Sequence, residues 1–272
     1  MKSTLYILAL FLLFFYSCED VIDVELDNSK PKLVIDASLY WVKGTDGNMQ
    51  QIQLSLTAPY FNNSIPAATG ATVTVTDMNN NTFNFTEDGN SGVYKTEKFI
   101  PVLNMLYNLN IIYNNEVYSA TTAMIPVVPI EYVEQKNDGG FAGDEIEIKA
   151  FYTDPEDTEN FYLFEFLLFN SNKVNLEVYD DVFTNGNQIF AFFSDEDLEA
   201  GDELIIRNSG ITDQAYQFMF ILLQQTDDEA GDPFETQPAT LRGNCINETN
   251  PDNFPLGFFR ASETDVFTYE IQ

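Results

Sequence analysis

Thr72-Val73-Thr74-Val75-Thr76 alternates strictly between polar and apolar β-branched residues. Successive side chains of a strand point to opposite faces of a sheet, so this alternation predicts a strand with one buried face. Similar short segments, separated by turn residues, lie on both sides of it. The first part of the chain is therefore predicted to hold seven strands, near residues 33–39, 51–56, 71–76, 82–86, 92–96, 107–113 and 117–123.

Asparagine-rich turns join some of these strands. Asn79-Asn80-Asn81 and Asn114-Asn115 tolerate the positive φ angles that tight hairpins need. Seven short strands in about 90 residues are typical of an immunoglobulin-like β-sandwich, so we predict this fold for residues 32–125. The disulfide of that fold is absent, since Cys245 is the only cysteine besides Cys18.

A proline-rich connector follows. Pro126 and Pro129 stiffen an extended segment, and we predict a domain boundary at residues 126–129. Residues 130–272 are then a second β-rich domain, which makes the fold class mainly β. Its strands are predicted near residues 130–135, 145–152, 161–169, 174–179, 189–193 and 203–208.

One segment of the second domain has helical spacing. From Thr212 to Gln225, apolar residues recur at intervals of three and four, which predicts one helix that Thr212 or Asp213 caps. The alternative is a buried strand through residues 218–223. We favour the helix because the apolar run is not rich in β-branched residues. The apolar positions are Ala215, Phe218, Met219, Leu222 and Leu223.

The N-terminus has the pattern of a secretory signal. Lys2 precedes an apolar run from Leu5 to Tyr16, which is shorter than the roughly 20 residues that span a membrane. Cys18 follows, and acidic residues begin directly after it. We predict a lipoprotein signal peptide at residues 1–17, acylation of Cys18 and an acidic tether at residues 18–31.

Two residues leave an alternative to this prediction. Phe15 and Tyr16 stand where a strict lipobox prefers leucine and a small residue, so an ordinary secretory signal is the other interpretation. Acylation at Cys18 would place the protein at the outer membrane, lipid-anchored and facing the cell surface. An acidic pair after the cysteine resembles surface-export signals of Bacteroidota lipoproteins.

The chain is strongly acidic, with a formal net charge of −31 at pH 7. Such a chain repels nucleic acid and anionic membrane surfaces, so neither is expected as a binding partner. Solubility is the general explanation for this charge, and attraction of cations or of a basic partner is the more specific one.

The residues for common enzyme chemistry are missing. The chain has no histidine, which removes the most common general base and metal ligand. Cys245 without a histidine is a poor nucleophile, and no nucleophile elbow or phosphate-binding loop occurs. Paired carboxylates could still act as in glycosidases, but with 43 acidic residues such pairs arise by chance. We predict that the protein is not an enzyme.

Three acidic clusters are candidates for a calcium ion, the one cofactor that we consider. The first is Asp154 with Glu156, Asp157 and Glu159, in which Pro155 fixes a turn. None of the clusters has the order of an EF-hand, and solvated turn acids are the interpretation that we prefer. The other two are Asp195-Glu196-Asp197 and Asp227-Asp228-Glu229 with Asp232.

Aromatic residues near the first strand are candidates for sugar binding. Tyr40 and Trp41 follow that strand, and Tyr60 lies in a predicted neighbouring loop. Exposed rings of this kind can stack on sugars. Packing in the core and at its rim is the alternative, and we prefer it because most aromatic residues of sandwiches are buried.

Several short pieces resemble a known family, the Bacteroidota lipoproteins with domain of unknown function 4249. The resemblance covers nearly the whole mature chain, and none of its pieces is a catalytic signature. They are Cys18-Glu19-Asp20-Val21-Ile22-Asp23, Pro31-Lys32-Leu33-Val34-Ile35, Tyr107-Asn108-Leu109, Val117-Tyr118-Ser119-Ala120, Asp154 with Phe161-Tyr162, Asp232-Pro233-Phe234, Gly243-Asn244 and Pro255-Leu256-Gly257-Phe258-Phe259.

Proteins of this family are often encoded beside TonB-dependent outer-membrane receptors. The resemblance therefore implies an accessory lipoprotein that partners such a receptor in nutrient uptake. A free-standing glycan-binding or adhesive module at the cell surface is the alternative.

Overall fold

The structure is a computed structural model that describes residues 30–59, 64–140, 143, 145–169, 174–226 and 241–272. The predicted signal peptide, Cys18 and nearly all of the acidic tether lie outside these residues. Pro31–Gln272 forms one compact unit. The elements are β1 (Leu33–Val42), β2 (Gln50–Leu56), β3 (Thr72–Asp77), β4 (Thr82–Glu87), β5 (Val93–Thr96), β6 (Leu106–Tyr113), β7 (Glu116–Ile125), β8 (Tyr132–Gly139), β9 (Glu145–Thr153), β10 (Phe161–Leu168), β11 (Val174–Asp180), β12 (Gln188–Asp195), β13 (Glu203–Ile211), α1 (Asp213–Thr226), β14 (Ile246–Asn247) and β15 (Leu256–Glu270).

Within the residues that the structure describes, the fold is mainly β with one helix, as predicted. Strands β1 to β13 match the predicted strands in order and position. In β3, Val73 and Val75 are buried, as the alternation requires. The predicted hairpin turns also form: Asn80, Asn114 and Asn115 have positive φ angles of 63°, 50° and 63°.

Strand β15 was not predicted, and it changes the architecture of the first half. It pairs in parallel with β1, and at Ala261 and Ser262 also with β7. These pairings close a ring in the order β15-β1-β2-β5-β4-β3-β6-β7. The prediction for residues 32–125 is therefore confirmed only in its β strands. A strand from the C-terminal part of the chain joins the edges of the predicted sandwich into one closed eight-stranded sheet around a single core.

The second half has two packed sheets. Strands β13, β10 and β11 extend from the C-terminal part of β15, while β12, β9 and β8 form a separate three-stranded sheet. Aromatic side chains fill the space between them. Phe166 of β10 stacks on Phe193 of β12 with ring centroids 5.0 Å apart. Tyr152 of β9 packs on Phe164 at 5.2 Å.

Helix α1 lies on the opposite face of the β10–β13 sheet. Thr212 caps it, because its Oγ1 accepts a hydrogen bond from the backbone N–H of Ala215 at 3.1 Å. The helix prediction and its cap are thus confirmed, and the alternative strand is wrong. Ala215 packs with Leu163 and Phe258 in a small separate core. Within the described part of the chain, no helix is long and apolar enough to span a membrane.

The connector at residues 126–129 is bonded to β15. Glu263 accepts a hydrogen bond from the backbone N–H of Val127 at 2.9 Å, and Asp265 accepts one from Ile130 at 2.8 Å. Because β15 contributes Phe259 and Ala261 to the first core and pairs with β13 beside the second, both halves share this strand. The domain boundary at residues 126–129 therefore stays a prediction.

Glu116 at the start of β7 holds the segment around β14. Its carboxylate accepts hydrogen bonds from the hydroxyl of Tyr118 at 2.6 Å and from the side-chain amides of Asn247 at 3.1 Å, Asn250 at 3.3 Å and Asn253 at 2.7 Å. The hydrogen bond from Tyr118, together with those from the asparagines, lowers the pKa of Glu116 below its ordinary value of 4.5. Burial alone would raise this pKa, but the hydrogen bonds have the larger effect.

Replacing Glu116 by glutamine is expected to lower the free energy of unfolding by about 1–2 kcal/mol at pH 7, since charge-assisted hydrogen bonds are lost. A carboxyl group whose pKa is lowered by folding stabilises the folded state at pH values above its pKa in the unfolded state. This stabilisation is lost as the pH falls through its pKa in the folded state. The difference between wild type and Glu116→Gln should therefore shrink in urea unfolding below about pH 4.

Glu248→Gln is the matched control, because Glu248 lies in the same region and accepts one exposed hydrogen bond from Ser119. It is expected to change stability less than Glu116→Gln. An effect of Glu116→Gln that is the same at pH 7 and at about pH 3 would contradict the prediction.

Candidate functional site

A groove with a volume of about 930 Å³ runs beside β1 and β15 and beneath α1. Its floor consists of outward-facing side chains of β1 and β2, and its walls come from α1, β11 and β15. The principal lining residues are Val34, Asp36, Ser38, Tyr40, Met49, Gln51, Gln53, Glu165, Val174, Leu176, Phe218, Met219, Leu222, Leu241, Leu256, Phe258 and Arg260.

The composition of the groove floor follows from the alternation of buried and outward-facing side chains in β1. Ile35, Ala37 and Leu39 face the core of the closed sheet and are fully buried. The residues between them point to the other face, so Asp36 and Ser38 line the groove. The floor is therefore polar, although β1 is a central strand of its sheet.

The walls are apolar. Phe218 of α1 packs against Phe258 of β15 with ring centroids 4.9 Å apart. Met219 and Leu222 are half-buried along the same face of the helix, one turn apart, and Leu176 of β11 also lines the groove. Helix α1 thus buries only Ala215 fully and leaves much of its apolar face to the groove.

A cluster of charged residues lies at the base of the groove. The hydroxyl of Tyr40 donates to Glu165 Oε1 at 3.1 Å and also contacts the guanidinium of Arg260. Arg260 Nε donates to Ser38 Oγ at 3.0 Å. Burial raises the pKa of Tyr40 to about 12, so its hydroxyl remains protonated at neutral pH.

Two arginines share the carboxylate of Glu165. Arg207 Nη1 lies 3.5 Å from Glu165 Oε2, and Arg260 Nη2 lies 3.9 Å from Oε1. Buried Arg260 Nη1 and Glu165 Oε2 have no hydrogen-bond partner among the residues that the structure describes. Charges with incomplete hydrogen bonding are costly inside a protein, and they are concentrated at binding sites.

The predicted aromatic site does not form as a platform in the described residues. Tyr40 lines the groove, whereas Trp41, the next residue of the strand, packs against the core of the closed sheet. The indole Nε1–H of Trp41 donates to the carbonyl of Thr45 at 2.9 Å. Tyr60 lies outside the described residues.

In the first of the predicted calcium clusters, one acidic residue is buried and the other three are exposed. Asp154 is buried and accepts hydrogen bonds from the hydroxyl of Tyr162 at 2.6 Å and the backbone N–H of Gly186 at 3.2 Å. Burial raises its pKa above the ordinary value. Glu156, Asp157 and Glu159 are exposed.

No group of three or more metal-ligating side chains occurs in the described part of the chain. The four residues of the first acidic cluster are thus not brought together as a site, and neither are Asp195, Glu196 and Asp197. The third cluster, Asp227-Asp228-Glu229 with Asp232, lies outside the described residues.

Cys245 is buried in the core of the closed sheet. Burial raises the pKa of its thiol to about 12, so the thiolate is scarce at neutral pH. This side chain is therefore unsuited to act as a nucleophile.

Three of the segments that resemble the family, residues 31–35, 243–244 and 255–259, meet at one end of the groove. Gly257 has a φ of +91° and lies so close to β1 that a Cβ atom there would be 2.0 Å from the carbonyl oxygen of Ile35. A Cβ on Gly243 would be 1.6 Å from the carbonyl oxygen of Gly257. Asn244 bonds both backbone groups of Phe259, with distances of 2.7 and 2.8 Å. These pieces therefore hold β15 against β1.

Residues 19–268 match the family described as "Domain of unknown function (DUF4249)". The chain belongs to this family. The match covers both halves of the fold and every described residue that lines the groove. None of the curated proteins matches the sequence.

Three solved structures are similar to parts of this member of the DUF4249 family. A segment of two fibronectin type-III domains from chicken tenascin is 10% identical, covers 67% of this chain and 91% of its own, and has a TM-score of 0.22. A DUF4785 family protein from Legionella pneumophila is 12% identical, with 65% and 52% covered and a TM-score of 0.27. The FN1–FN3 domains of chicken CNTN1 are 15% identical, with 59% and 56% covered and a TM-score of 0.22.

The chain thus spans about half the length of the second and third of these structures. TM-scores between 0.22 and 0.27 are too low to carry an argument about topology or activity.

Proposed function

We propose that this protein is a non-enzymatic binding protein, lipid-anchored at the outer membrane and exposed at the cell surface, that assists a TonB-dependent receptor in nutrient uptake. The groove beneath α1 is the observation that carries the proposal. Its volume of about 930 Å³ lies within the range of small-molecule sites, and it combines apolar walls with a few convergent polar groups.

The chemistry of the groove supports binding. Arg260, Tyr40 and Glu165 contact one another, so their polar groups hold a fixed arrangement. The chain has no histidine, and Cys245 lies in a different part of the fold. A preorganised polar cluster with neither a histidine nor a thiol suits recognition of a ligand.

The signal pattern supports the anchor. Lys2, the apolar run after it and Cys18 fit a lipoprotein signal peptide, and acylation would attach the mature chain to the membrane. The chain belongs to the DUF4249 family, and the partnership with a receptor is what the family resemblance implies.

Purification from outer membranes tests this proposal. With an affinity tag after Gln272, whose side chain is exposed, we expect a TonB-dependent receptor to co-purify with the wild-type protein. Cys18→Ser is the matched variant, because it removes only the acylated thiol. It should lose both outer-membrane localisation and the receptor. Wild-type eluates without any receptor would overturn the partnership, and an unchanged localisation of Cys18→Ser would overturn the anchor.

One observation favours the alternative, a free-standing glycan-binding or adhesive module. Tyr132, Phe151 and Phe190 are directly paired across β8, β9 and β12. They form a row on the outer face of that sheet, where Tyr132 is 38% and Phe190 is 40% exposed. The rings of Tyr132 and Phe151 stack on each other at 4.6 Å, so their facing surfaces are not available to a sugar. Binding of the receptor-free protein to a glycan array, abolished by Phe190→Ala, would favour this alternative.

A further inference from the structure

The arginines of the chain are concentrated around the groove. They are Arg207, Arg242 and Arg260. Arg260 lines the groove, and Arg207 pairs with Glu165 at its base. Arg242 directly follows Leu241, which lines the other end. In a protein with a net charge of −31, cations gathered in one place are a specific feature.

The base of the groove holds an arginine donor without a partner, because buried Arg260 Nη1 has no hydrogen-bond partner among the described residues. Two guanidinium groups face one carboxylate, that of Glu165. Asp36 also lies on the floor, where it accepts a hydrogen bond from Ser38 at 3.1 Å. Asp36 forms no ion pair with an arginine among the described residues, but its charge lies beside the cluster. The charges of Arg207, Arg260, Glu165 and Asp36 sum to zero. The groove therefore offers an anion the free donor of Arg260, and not an excess of positive charge.

Two cations that do not themselves line the groove lie near its other end. Lys32 and Arg242 both lie over the ring of Phe254, at 3.1 and 3.7 Å from its centroid. Phe254 comes two residues before Leu256, which lines the groove there, and Leu256 pairs with Val34 of β1. Between the two ends the walls are apolar.

We propose that the groove binds an amphipathic anion, a free small molecule with an apolar body and a carboxylate, sulfonate or phosphate group at one end. The apolar body would lie along α1, between Phe218, Leu222 and Leu176. The anionic group would contact the guanidinium of Arg260, which suits planar and tetrahedral oxyanions. This inference rests on the proposed function, since it names the ligand of the same groove.

Two fluorescent dyes test the class of ligand. Anilinonaphthalene sulfonate is an amphipathic anion, and phenylnaphthylamine has the same rings without the sulfonate. The dyes are titrated into Pro31–Gln272, which forms one compact unit with its own cores. We expect the wild type to bind the anionic dye about tenfold more tightly than the neutral dye, the amount that one charge-assisted hydrogen bond provides.

Two variants should shift the affinity in opposite directions. Arg260→Met keeps an unbranched apolar stem and removes the charge, so binding of the anionic dye should weaken about tenfold. Glu165→Gln removes the competing carboxylate and should strengthen it about tenfold. Binding of the neutral dye should change by less than about twofold in both. Lys95→Met is the control, because Lys95 is an exposed cation outside the groove, and it should change neither affinity.

The outcomes distinguish this inference from the proposed function. Equal binding of both dyes to the wild type, or unchanged binding of the anionic dye in both Arg260→Met and Glu165→Gln, would overturn the anionic ligand and leave the groove as a binding site. Binding of neither dye would remove the groove from the proposed function as well. A loss of fold in Arg260→Met would change the binding of both dyes, because loosened proteins expose apolar surface that binds them. Glu165→Gln would then decide, because the proposed charge effect strengthens binding of the anionic dye and leaves the neutral dye unchanged.

Discussion

Gly257→Ala is expected to lower the free energy of unfolding by about 3–5 kcal/mol. A φ of +91° is unfavourable for alanine, and its Cβ would lie 2.0 Å from the carbonyl oxygen of Ile35. Strand β15 cannot move away from β1 without losing the parallel ladder that closes the sheet. Urea unfolding of the variant and the wild type measures the difference.

Gly201→Ala separates the two causes. Gly201 has a similar φ of +97°, but no atom lies within 4 Å of the position of its Cβ. Its substitution should cost only the backbone strain, about 1 kcal/mol. Equal destabilisation by the two substitutions would show that the approach of β15 to β1 is not as close as the structure has it.

Glu165→Leu is expected to destabilise the fold by about 3–5 kcal/mol, because it leaves the buried guanidinium of Arg260 without a carboxylate. The double variant Glu165→Leu with Arg260→Met removes both charges and puts apolar side chains of similar size beside Phe218 and Leu176. It should be within about 2 kcal/mol of the wild type. The double-mutant cycle gives the coupling between the two residues.

Lys136→Met is the control for this cycle. Lys136 pairs with Asp138 at 3.6 Å, and both side chains are largely exposed to solvent. Loss of this pair should change stability far less than loss of Glu165. If the double variant were as unstable as Glu165→Leu, the cost would come from packing or from Arg207, and the buried ion pair would not be its cause.

Strands β1 to β13 could be predicted from sequence because each has an alternating or continuously apolar pattern between turns. Strand β15 could not, because its centre is polar. Ser262, Glu263 and Thr264 are buried there. The side chains of Glu263 and Thr264 bond to neighbouring elements, whereas Ser262 Oγ has no hydrogen-bond partner among the described residues. A polar sequence of this kind is typical of a loop. The position of β15 between β1 and β13 therefore becomes apparent only in three dimensions.

The groove was also missed, because it depends on contacts between distant parts of the chain. Tyr40 was identified from sequence, but as part of an aromatic platform with Trp41, which the alternation of β1 itself argues against. A better signal was present in β10. Glu165 is the only charged residue of that strand, and a charge in a buried strand requires a partner. Its partner Arg260 lies 95 positions further along the chain, which no local pattern can reveal.

The parallel pairing of β1 and β15 also has a mechanical consequence. Tension applied through the residues before Leu33 would pull β1 along its own axis, past the neighbouring strand. The hydrogen bonds from Val34 opposite Leu256 to Val42 opposite Thr264 would then be loaded together, in shear, and would not open one after another. A pull from the N-terminal side would therefore meet the resistance of the whole β1–β15 ladder at once.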